Sequence, residues 1–267
     1  MVFKKSSKLI IFMFKKLSTI DILIQIILFL NSTEVKEPLI ILHGWGGSNK
    51  SLSSLGKELD KLFDIHLLEM PGHGETPEMD SPWQMRDFAE WLERYIKQKS
   101  LNNYHLLGHS FGGKIIFESI CSGKVNPKTI ILINANGIKP KQTLKVRLLK
   151  NASKNPFLKL LVKNDLIRKI FFKFIVREQD YFKAKSNVKE SFKLFVEEHY
   201  DDKLSKLKVP TFIIWGKDDK VTPLWMGEKI HKAINNSTLV VLEGTHGLPI
   251  HKPKEVAQEI INFYKKI

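Results

Sequence analysis

The sequence predicts an α/β fold: a mostly parallel sheet with helices on both faces and a helical lid inserted between two strands. Short, continuously apolar runs alternate with amphipathic stretches from Pro38 onward. Continuous apolar runs are typical of parallel strands that are buried on both faces. The alternation stops after residue 136 and resumes at residue 211, which indicates an insertion. The 267 residues, 43% of them hydrophobic, suffice for one domain of this kind.

Six apolar runs are the predicted strands, at residues 39–42, 64–69, 104–108, 129–134, 211–216 and 237–243. Helices are predicted between and after them, at residues 51–63, 83–99, 111–122, 224–234 and 253–266. In the second helix, four large apolar side chains share one face and are predicted to pack together: Phe88, Trp91, Leu92 and Tyr95. Pro253 begins the last helix, where the missing N–H of proline costs nothing.

Residues 1–35 fit this pattern least well. Their apolar runs, at 9–14 and 20–30, are interrupted by charged residues, and neither reaches the roughly 18–20 residues of a membrane span. The β-branched composition favours edge strands, with peripheral membrane attachment or a signal segment as alternatives. The predicted organisation is therefore an N-terminal segment at 1–35, a core at 36–136 and 201–267, and a basic helical lid at 137–200.

The net charge of +15 is concentrated in the predicted lid. Residues 137–200 hold 16 Lys and Arg against 6 Asp and Glu, a net charge of +10. No nucleic-acid-binding motif accompanies the lysines, so nucleic acid is not an expected partner. An acidic substrate, an anionic membrane surface and a merely solvated basic face remain as interpretations.

The single cysteine, Cys121, excludes an internal disulfide and fits a reducing cytoplasm. Association with a membrane through the N-terminal segment is the alternative location. Cys121 falls late in an apolar helical stretch, and we expect a buried, inert thiol.

The strongest chemical signal is G-x-S-x-G at residues 108–112, placed between a predicted strand and a predicted helix. A sharp turn in this setting exposes the hydroxyl of Ser110 at the carboxyl end of the sheet. The glycines Gly108 and Gly112 let a strained backbone pass close to its neighbours. Ser110 is therefore the predicted nucleophile, and the backbone N–H of Phe111 is a predicted oxyanion donor at the start of the helix.

A glycine-rich turn follows the first core strand, at residues 43–47. It is predicted to leave the backbone N–H of Trp45 free as the second oxyanion donor. His43, at the end of that strand, and His109, beside the serine, are interpreted as structural hydrogen-bonding residues rather than as bases.

A serine nucleophile needs a base that is itself oriented by a carboxylate. Asp218 and Asp219 follow the strand at 211–216, and His246 follows the strand at 237–243. The carboxyl ends of parallel strands share one edge of the sheet, so these side chains are expected to meet Ser110 there. Either aspartate could serve, and His246 is the predicted general base.

These motifs together resemble the α/β-hydrolase superfamily, specifically its cap-bearing esterase, C–C hydrolase and thioesterase-like branch, over about residues 36–266. The matching segments are the oxyanion turn HGWGG, the loop PGHGET with Thr76 in place of serine, the elbow GHSFGG, the acid loop WGKDDKVTP and the histidine loop GTHGLPIHKP. The acid-loop pattern selects Asp219 over Asp218. His251 stands where relatives often carry a glutamate, which is a departure from the pattern.

The resemblance implies a serine hydrolase that cleaves a carboxylic ester or thioester through an acyl-enzyme, with no metal and no organic cofactor. The expected partner is a small acyl substrate. The basic lid favours an anionic one, or one delivered by an acidic carrier protein, as in pimeloyl-carrier methyl esterases. A C–C bond hydrolase or lyase with the same triad, and a non-enzymatic binding protein of this fold, are the alternatives. The sequence does not indicate the oligomeric state.

Overall fold

Six parallel strands form the sheet in the computed structural model, which describes residues 36–140 and 186–266. The strands are β1 (Pro38–Leu42), β2 (Asp64–Leu68), β3 (His105–His109), β4 (Thr129–Ile133), β5 (Thr211–Gly216) and β6 (Ser237–Leu242). Across the sheet they run in the order β2-β1-β3-β4-β5-β6, and every neighbouring pair is parallel. The predicted parallel sheet is confirmed, with strand ends that differ from the prediction by at most one residue.

The helices of the described residues are α1 (Ser53–Leu59), α2 (Met85–Gln98), α3 (Phe111–Cys121), α4 (Ser186–Phe195), α5 (Leu224–Ala233), α6 (Leu248–His251) and α7 (Pro253–Tyr264). Short 3-10 turns lie at Asn49–Leu52 and Leu204–Lys206. The predicted helix at 51–63 is therefore shorter than expected, since it starts as a 3-10 turn. The helix predicted from residue 83 begins two residues later, where the Asp87 carboxylate accepts a hydrogen bond from the Gln84 N–H at 2.7 Å.

Both faces of the sheet are covered because alternate strand residues contact different helices. On one face, Ile40 and Leu106 belong to a core with Phe88 of α2 and Ile115 of α3. On the other face, strand residues such as Ile41 pack with α1 and α7. The four-residue stripe predicted for α2 is divided, with Phe88 and Leu92 buried and Trp91 and Tyr95 half-buried. Cys121, predicted to be buried, is half-buried at the end of α3, and burial raises the pKa of its thiol.

The order in which strands are added to the sheet reverses at β1. From β1 it passes to β2 on one side and then returns to β3 on the other side. In open parallel sheets a crevice forms outside the carboxyl ends of the strands at such a reversal. The loops after β1 and β3 carry Trp45 and Ser110, so the fold places these two residues at this crevice.

Several predictions fall outside the described residues. They are the edge strands proposed within residues 1–35 and most of the lid at 137–200. The described ends of the predicted lid contain α4 and no strand, and the division into core and lid stays a prediction. None of the helices in the described ranges is both long enough and apolar enough to span a bilayer.

Candidate active site

Ser110 lies in the sharp turn between β3 and α3. Its backbone has φ of +53° and ψ of −114°, a strained conformation for a residue with a side chain. Main-chain hydrogen bonds hold the turn in this shape. The Ser110 N–H donates to the carbonyl of Ile133 at 3.1 Å, and the Gly113 N–H donates to the carbonyl of Ser110 at 3.1 Å. Such strain is typical of functional sites.

The two glycines that flank Ser110 are required by close backbone contacts. A Cβ on Gly108 would lie 2.5 Å from the backbone nitrogen of Gly113. A Cβ on Gly112 would lie 2.4 Å from the carbonyl oxygen of Leu42 in β1. No larger side chain fits either position without a shift of the main chain. The G-x-S-x-G pattern therefore follows from the packing of this turn against β1 and the start of α3.

The structure brings His246 between Ser110 and Asp219. The Nε2 atom of His246 lies 2.9 Å from Oγ of Ser110, and its Nδ1 atom lies 2.8 Å from Oδ2 of Asp219. Asp219 is buried, whereas Asp218 is exposed, and only Asp219 contacts the imidazole. The three side chains come from the loops after β3, β5 and β6, as the sequence predicts.

The surroundings of Asp219 determine the proton positions on His246. The carboxylate of Asp219 accepts hydrogen bonds at Oδ1 from the N–H groups of Val221, at 2.8 Å, and Thr222, at 2.9 Å. An ionised carboxylate can only accept, so Nδ1 of His246 carries the proton and Nε2 is free to accept from Ser110.

Trp45 and Phe111 flank Ser110 from two loops. A Cβ on Gly44 would lie only 3.2 Å from the Cβ of Ser110, so the turn that carries Trp45 passes directly beside the serine. Within the described part of the chain, neither the Trp45 N–H nor the Phe111 N–H donates a hydrogen bond to another residue. The rings of these two residues meet edge to face at 5.1 Å. Both backbone donors are thus available to a bound oxygen.

His43 and His109 have structural hydrogen bonds, as interpreted from the sequence. The Nδ1–H of His43 donates to the carbonyl of Gly44 at 2.7 Å, and its Nε2 accepts from the Met70 N–H at 3.1 Å. The Nε2–H of His109 donates to the carbonyl of His246 at 2.8 Å. Burial lowers the pKa of His43 to about 4 and that of His109 to about 3, so both rings are neutral near pH 7.

Aromatic side chains of α4 pack against Trp45 and Phe111, the two predicted oxyanion donors. Phe195 stacks on Phe111 at 4.5 Å and meets the ring of Trp45 at 5.0 Å, and Phe192 meets Trp45 at 5.5 Å. The buried Lys114 donates from Nζ to the carbonyl of Phe195 at 2.5 Å, at the end of α4. Burial lowers the pKa of Lys114 to about 8.

Two further residues of the site were not predicted, Thr222 and Asn134. The hydroxyl of Thr222 lies 2.8 Å from Oδ2 of Asp219, and Asn134 is a buried residue directly after β4. A polar residue that ends an apolar run at the same sheet edge as Ser110 was the available signal for Asn134. In the residues that the structure describes, no group of His, Cys, Asp and Glu side chains is arranged to hold a metal ion.

Comparison with known proteins identifies the family of the chain. A sequence model of the family described as the alpha/beta hydrolase family matches residues 39–259. The chain is 26% identical to the mouse monoacylglycerol lipase ABHD6, over 87% of this chain and 76% of the lipase. It is 24% identical to the pimeloyl-[acyl-carrier protein] methyl ester esterase of Pseudoalteromonas atlantica, over 78% of this chain and 86% of the esterase. The structure of an esterase from Exiguobacterium antarcticum superposes with a TM-score of 0.65 at 22% identity, covering 86% of this chain and 92% of that one.

Proposed function

Because the chain belongs to the α/β hydrolase family, we propose that it is a serine hydrolase that cleaves a carboxylic ester through an acyl-enzyme on Ser110. The observation that carries this proposal is the continuous hydrogen-bonded series from Oγ of Ser110 through His246 to Asp219, with distances of 2.9 and 2.8 Å. A base within hydrogen-bond reach of the nucleophile, oriented by a buried acid, is the arrangement that such chemistry needs.

In the first step, Oγ of Ser110 attacks the carbonyl carbon of the ester while its proton passes to Nε2 of His246. The carbonyl oxygen becomes an oxyanion that accepts hydrogen bonds from the N–H groups of Trp45 and Phe111. A donor of this kind typically contributes roughly 3–4 kcal/mol to the transition state. Asp219 stabilises the imidazolium that forms.

In the second step, the carbon–oxygen bond to the alcohol breaks, and the alcohol leaves with the proton held by His246. Water then takes the place of the alcohol, and His246 accepts a proton from it as its oxygen attacks the acyl carbon. Collapse of the second tetrahedral intermediate releases the acid and returns the proton to Ser110. All proton transfers use one imidazole nitrogen, and the sequence of steps uses only side chains, main-chain N–H groups and water.

The proposed substrate has an apolar acyl group. The rings of Trp45, Phe111, Phe192 and Phe195 lie beside the proposed oxyanion donors, where they would cover an acyl chain attached to Ser110. The relatives include a monoacylglycerol lipase and a methyl ester esterase, which supports an oxygen ester as the bond that is cleaved. A thioester would be cleaved by the same steps, with a thiol as the leaving group.

An anionic or carrier-bound acyl substrate is a second, finer proposal. It is supported by the net charge of +10 in residues 137–200 and by the relative that acts on a pimeloyl-[acyl-carrier protein] methyl ester. A direct comparison is hydrolysis of a neutral methyl ester and of the monomethyl ester of a dicarboxylic acid with the same chain length. The proposal predicts a higher kcat/KM for the anionic ester, and an advantage that shrinks as salt is added. Equal values at low salt would contradict it.

Labelling with a fluorophosphonate tests the role of Ser110. We expect the wild-type protein and Ser122→Ala to be labelled and to hydrolyse p-nitrophenyl butyrate, because Ser122 is exposed at the far end of α3. Ser110→Ala should lose both properties. Persistent labelling of Ser110→Ala would remove Ser110 from the role of nucleophile. Labelling of Ser110 without hydrolysis of any simple ester would instead favour the C–C hydrolase or lyase alternative.

A further inference from the structure

Asn134 occupies a position between the loops that carry His246 and Asp219. It is the first residue after β4, its exposed fraction is 0%, and its φ of +46° lies in the left-handed region. Asparagine adopts this region more readily than most residues with a side chain. A buried amide offers two N–H donors and an acceptor oxygen, and each one left without a partner costs about 1–3 kcal/mol. The hydrogen-bond partners of Asn134 therefore indicate its role.

Both N–H groups of the Asn134 side chain point into the histidine loop. Its Nδ2 donates to the carbonyl oxygens of Thr245 and His246, each at 3.0 Å. The carbonyl of His246 also accepts the hydrogen bond from Nε2 of His109 at 2.8 Å. The two lone pairs of this carbonyl are thus both used, and the main chain of His246 is held from two sides.

The oxygen atoms of Asn134 bind the acid loop. Oδ1 accepts a hydrogen bond from the Gly216 N–H at 2.8 Å, at the point where β5 ends and the acid loop begins. The hydroxyl of Thr222 lies 3.0 Å from the main-chain carbonyl oxygen of Asn134 and 2.8 Å from Oδ2 of Asp219, and its one proton is shared between these two acceptors. Thr222 in turn donates its N–H to Oδ1 of Asp219 at 2.9 Å. One buried residue therefore bonds to both loops whose side chains must meet.

We propose that Asn134 is a positioning residue, which sets the imidazole of His246 relative to the carboxylate of Asp219 and the hydroxyl of Ser110. The inference rests on the proposed serine-hydrolase function. Asn134 has no hydrogen bond to any of the three reacting side chains and acts through the main chain of their loops. A displacement of about 1 Å in such a site can cost about 100-fold in rate, because the proton transfers depend on short, aligned contacts.

Two variants separate this role from a general contribution to folding. Asn134→Gly removes the side chain, and glycine tolerates the positive φ without strain. Asn134→Asp keeps an acceptor for the Gly216 N–H but loses both donors and places a carboxylate against two carbonyl oxygens. The matched control is Asn136→Ala, which keeps the main chain and removes a side chain that, among the described residues, bonds only to the N–H of Gly137, at 2.6 Å.

The experiment measures kcat and KM for p-nitrophenyl butyrate, together with the downfield proton NMR signal of the His246–Asp219 hydrogen bond and the melting temperature. We expect kcat to fall about 100-fold in both Asn134 variants, with KM nearly unchanged, and the downfield signal to broaden or disappear. Asn136→Ala should stay within about twofold of wild type, the range of an uninvolved side chain.

If either Asn134 variant is folded, keeps its kcat within about twofold of wild type and retains the downfield signal, the positioning role is refuted. A kcat that falls only in Asn134→Gly, and not in Asn134→Asp, would also refute it, because support of Gly216 alone would then explain the effect. The proposed function fails by a different result, the labelling of Ser110→Ala, and that outcome does not depend on the Asn134 variants.

Discussion

Replacement of Asp219 by asparagine tests the proposed division of roles within the site. The N–H groups of Val221 and Thr222 both point at Oδ1 of residue 219 and need an acceptor there. The oxygen of the new amide must therefore take that position, and its NH₂ group then faces Nδ1 of His246 at about the present separation of 2.8 Å. Facing a donor, Nδ1 of His246 must give up its proton, and the proton moves to Nε2.

A proton on Nε2 prevents His246 from accepting the proton of Ser110. In a Ser–His–Asp triad the wrong imidazole tautomer lowers kcat by about 10⁴-fold, which corresponds to about 5 kcal/mol in activation free energy. We therefore expect this loss in Asp219→Asn, measured as kcat for p-nitrophenyl butyrate. The matched control is Asp218→Asn, which should stay within about twofold of wild type because Asp218 is exposed and does not contact His246. A loss of less than tenfold in Asp219→Asn, or a larger loss in Asp218→Asn, would refute this reasoning.

Three further predictions concern stability. Gly112→Ala should lower the free energy of unfolding by about 1–3 kcal/mol, because the new Cβ would lie 2.4 Å from a carbonyl oxygen of β1; a melting temperature like that of Ser122→Ala would contradict this. Burial lowers the pKa of His43 to about 4. Between about pH 6.5 and pH 4 the imidazole is therefore protonated only in the unfolded chain, and the free energy of unfolding decreases as the pH falls through this range. Urea denaturation should show that the free energy of unfolding decreases less between pH 7 and pH 5 in His43→Asn than in wild type. Equal decreases would count against this role of His43. Burial also lowers the pKa of Lys114 to about 8. Between about pH 8 and pH 10.5 the amine is neutral in the folded chain and still protonated in the unfolded chain, so the free energy of unfolding rises with pH by up to about 3 kcal/mol over this range. This gain should be absent from Lys114→Met, and a Lys114→Met protein with the wild-type pH dependence would disprove the assignment.

Local patterns in the sequence were sufficient to predict the sheet and the turn that carries Ser110, the proposed nucleophile. The strand at 211–216 was predicted with its observed ends, because its residues are all buried and Pro210 and Lys217 flank them. The turn at Ser110 was predicted because its glycines are required by close main-chain contacts within one short segment and with β1. For these elements, the information lies in adjacent residues.

The partners of the acid and the base depend on contacts between residues that are far apart in the chain. Spacing after β5 did not separate Asp218 from Asp219, and the resemblance to the family's acid loop selected Asp219. The physical reason lies in the turn of the loop, which buries Asp219 against the N–H groups of Val221 and Thr222. Asn134 lies more than 80 residues from Gly216 and more than 100 from His246. The role proposed for Asn134 was not readable from its own segment, because the partners of its side chain are main-chain groups, and any residue type can supply these.

The helices were less accurately predicted where side chains alone set their ends. Periodicity placed the start of α2 at residue 83, but the carboxylate of Asp87 ends the extended segment at Gln84. The same periodicity placed Tyr95 on the packed face of α2, and Tyr95 does pack on the core there; it is only half-buried, with its hydroxyl 2.8 Å from Nδ1 of His66 in β2. α6 was not predicted because it has four residues, too few for a periodic signal.

Mass spectrometry of an acid-quenched reaction tests the central claim most directly. The wild-type protein is mixed with p-nitrophenyl butyrate, quenched within the first turnovers and digested. We expect a butyryl group on the peptide that contains Ser110, at the hydroxyl of that serine. Hydrolysis that proceeds with no adduct on Ser110, while another residue carries the butyryl group, would contradict it.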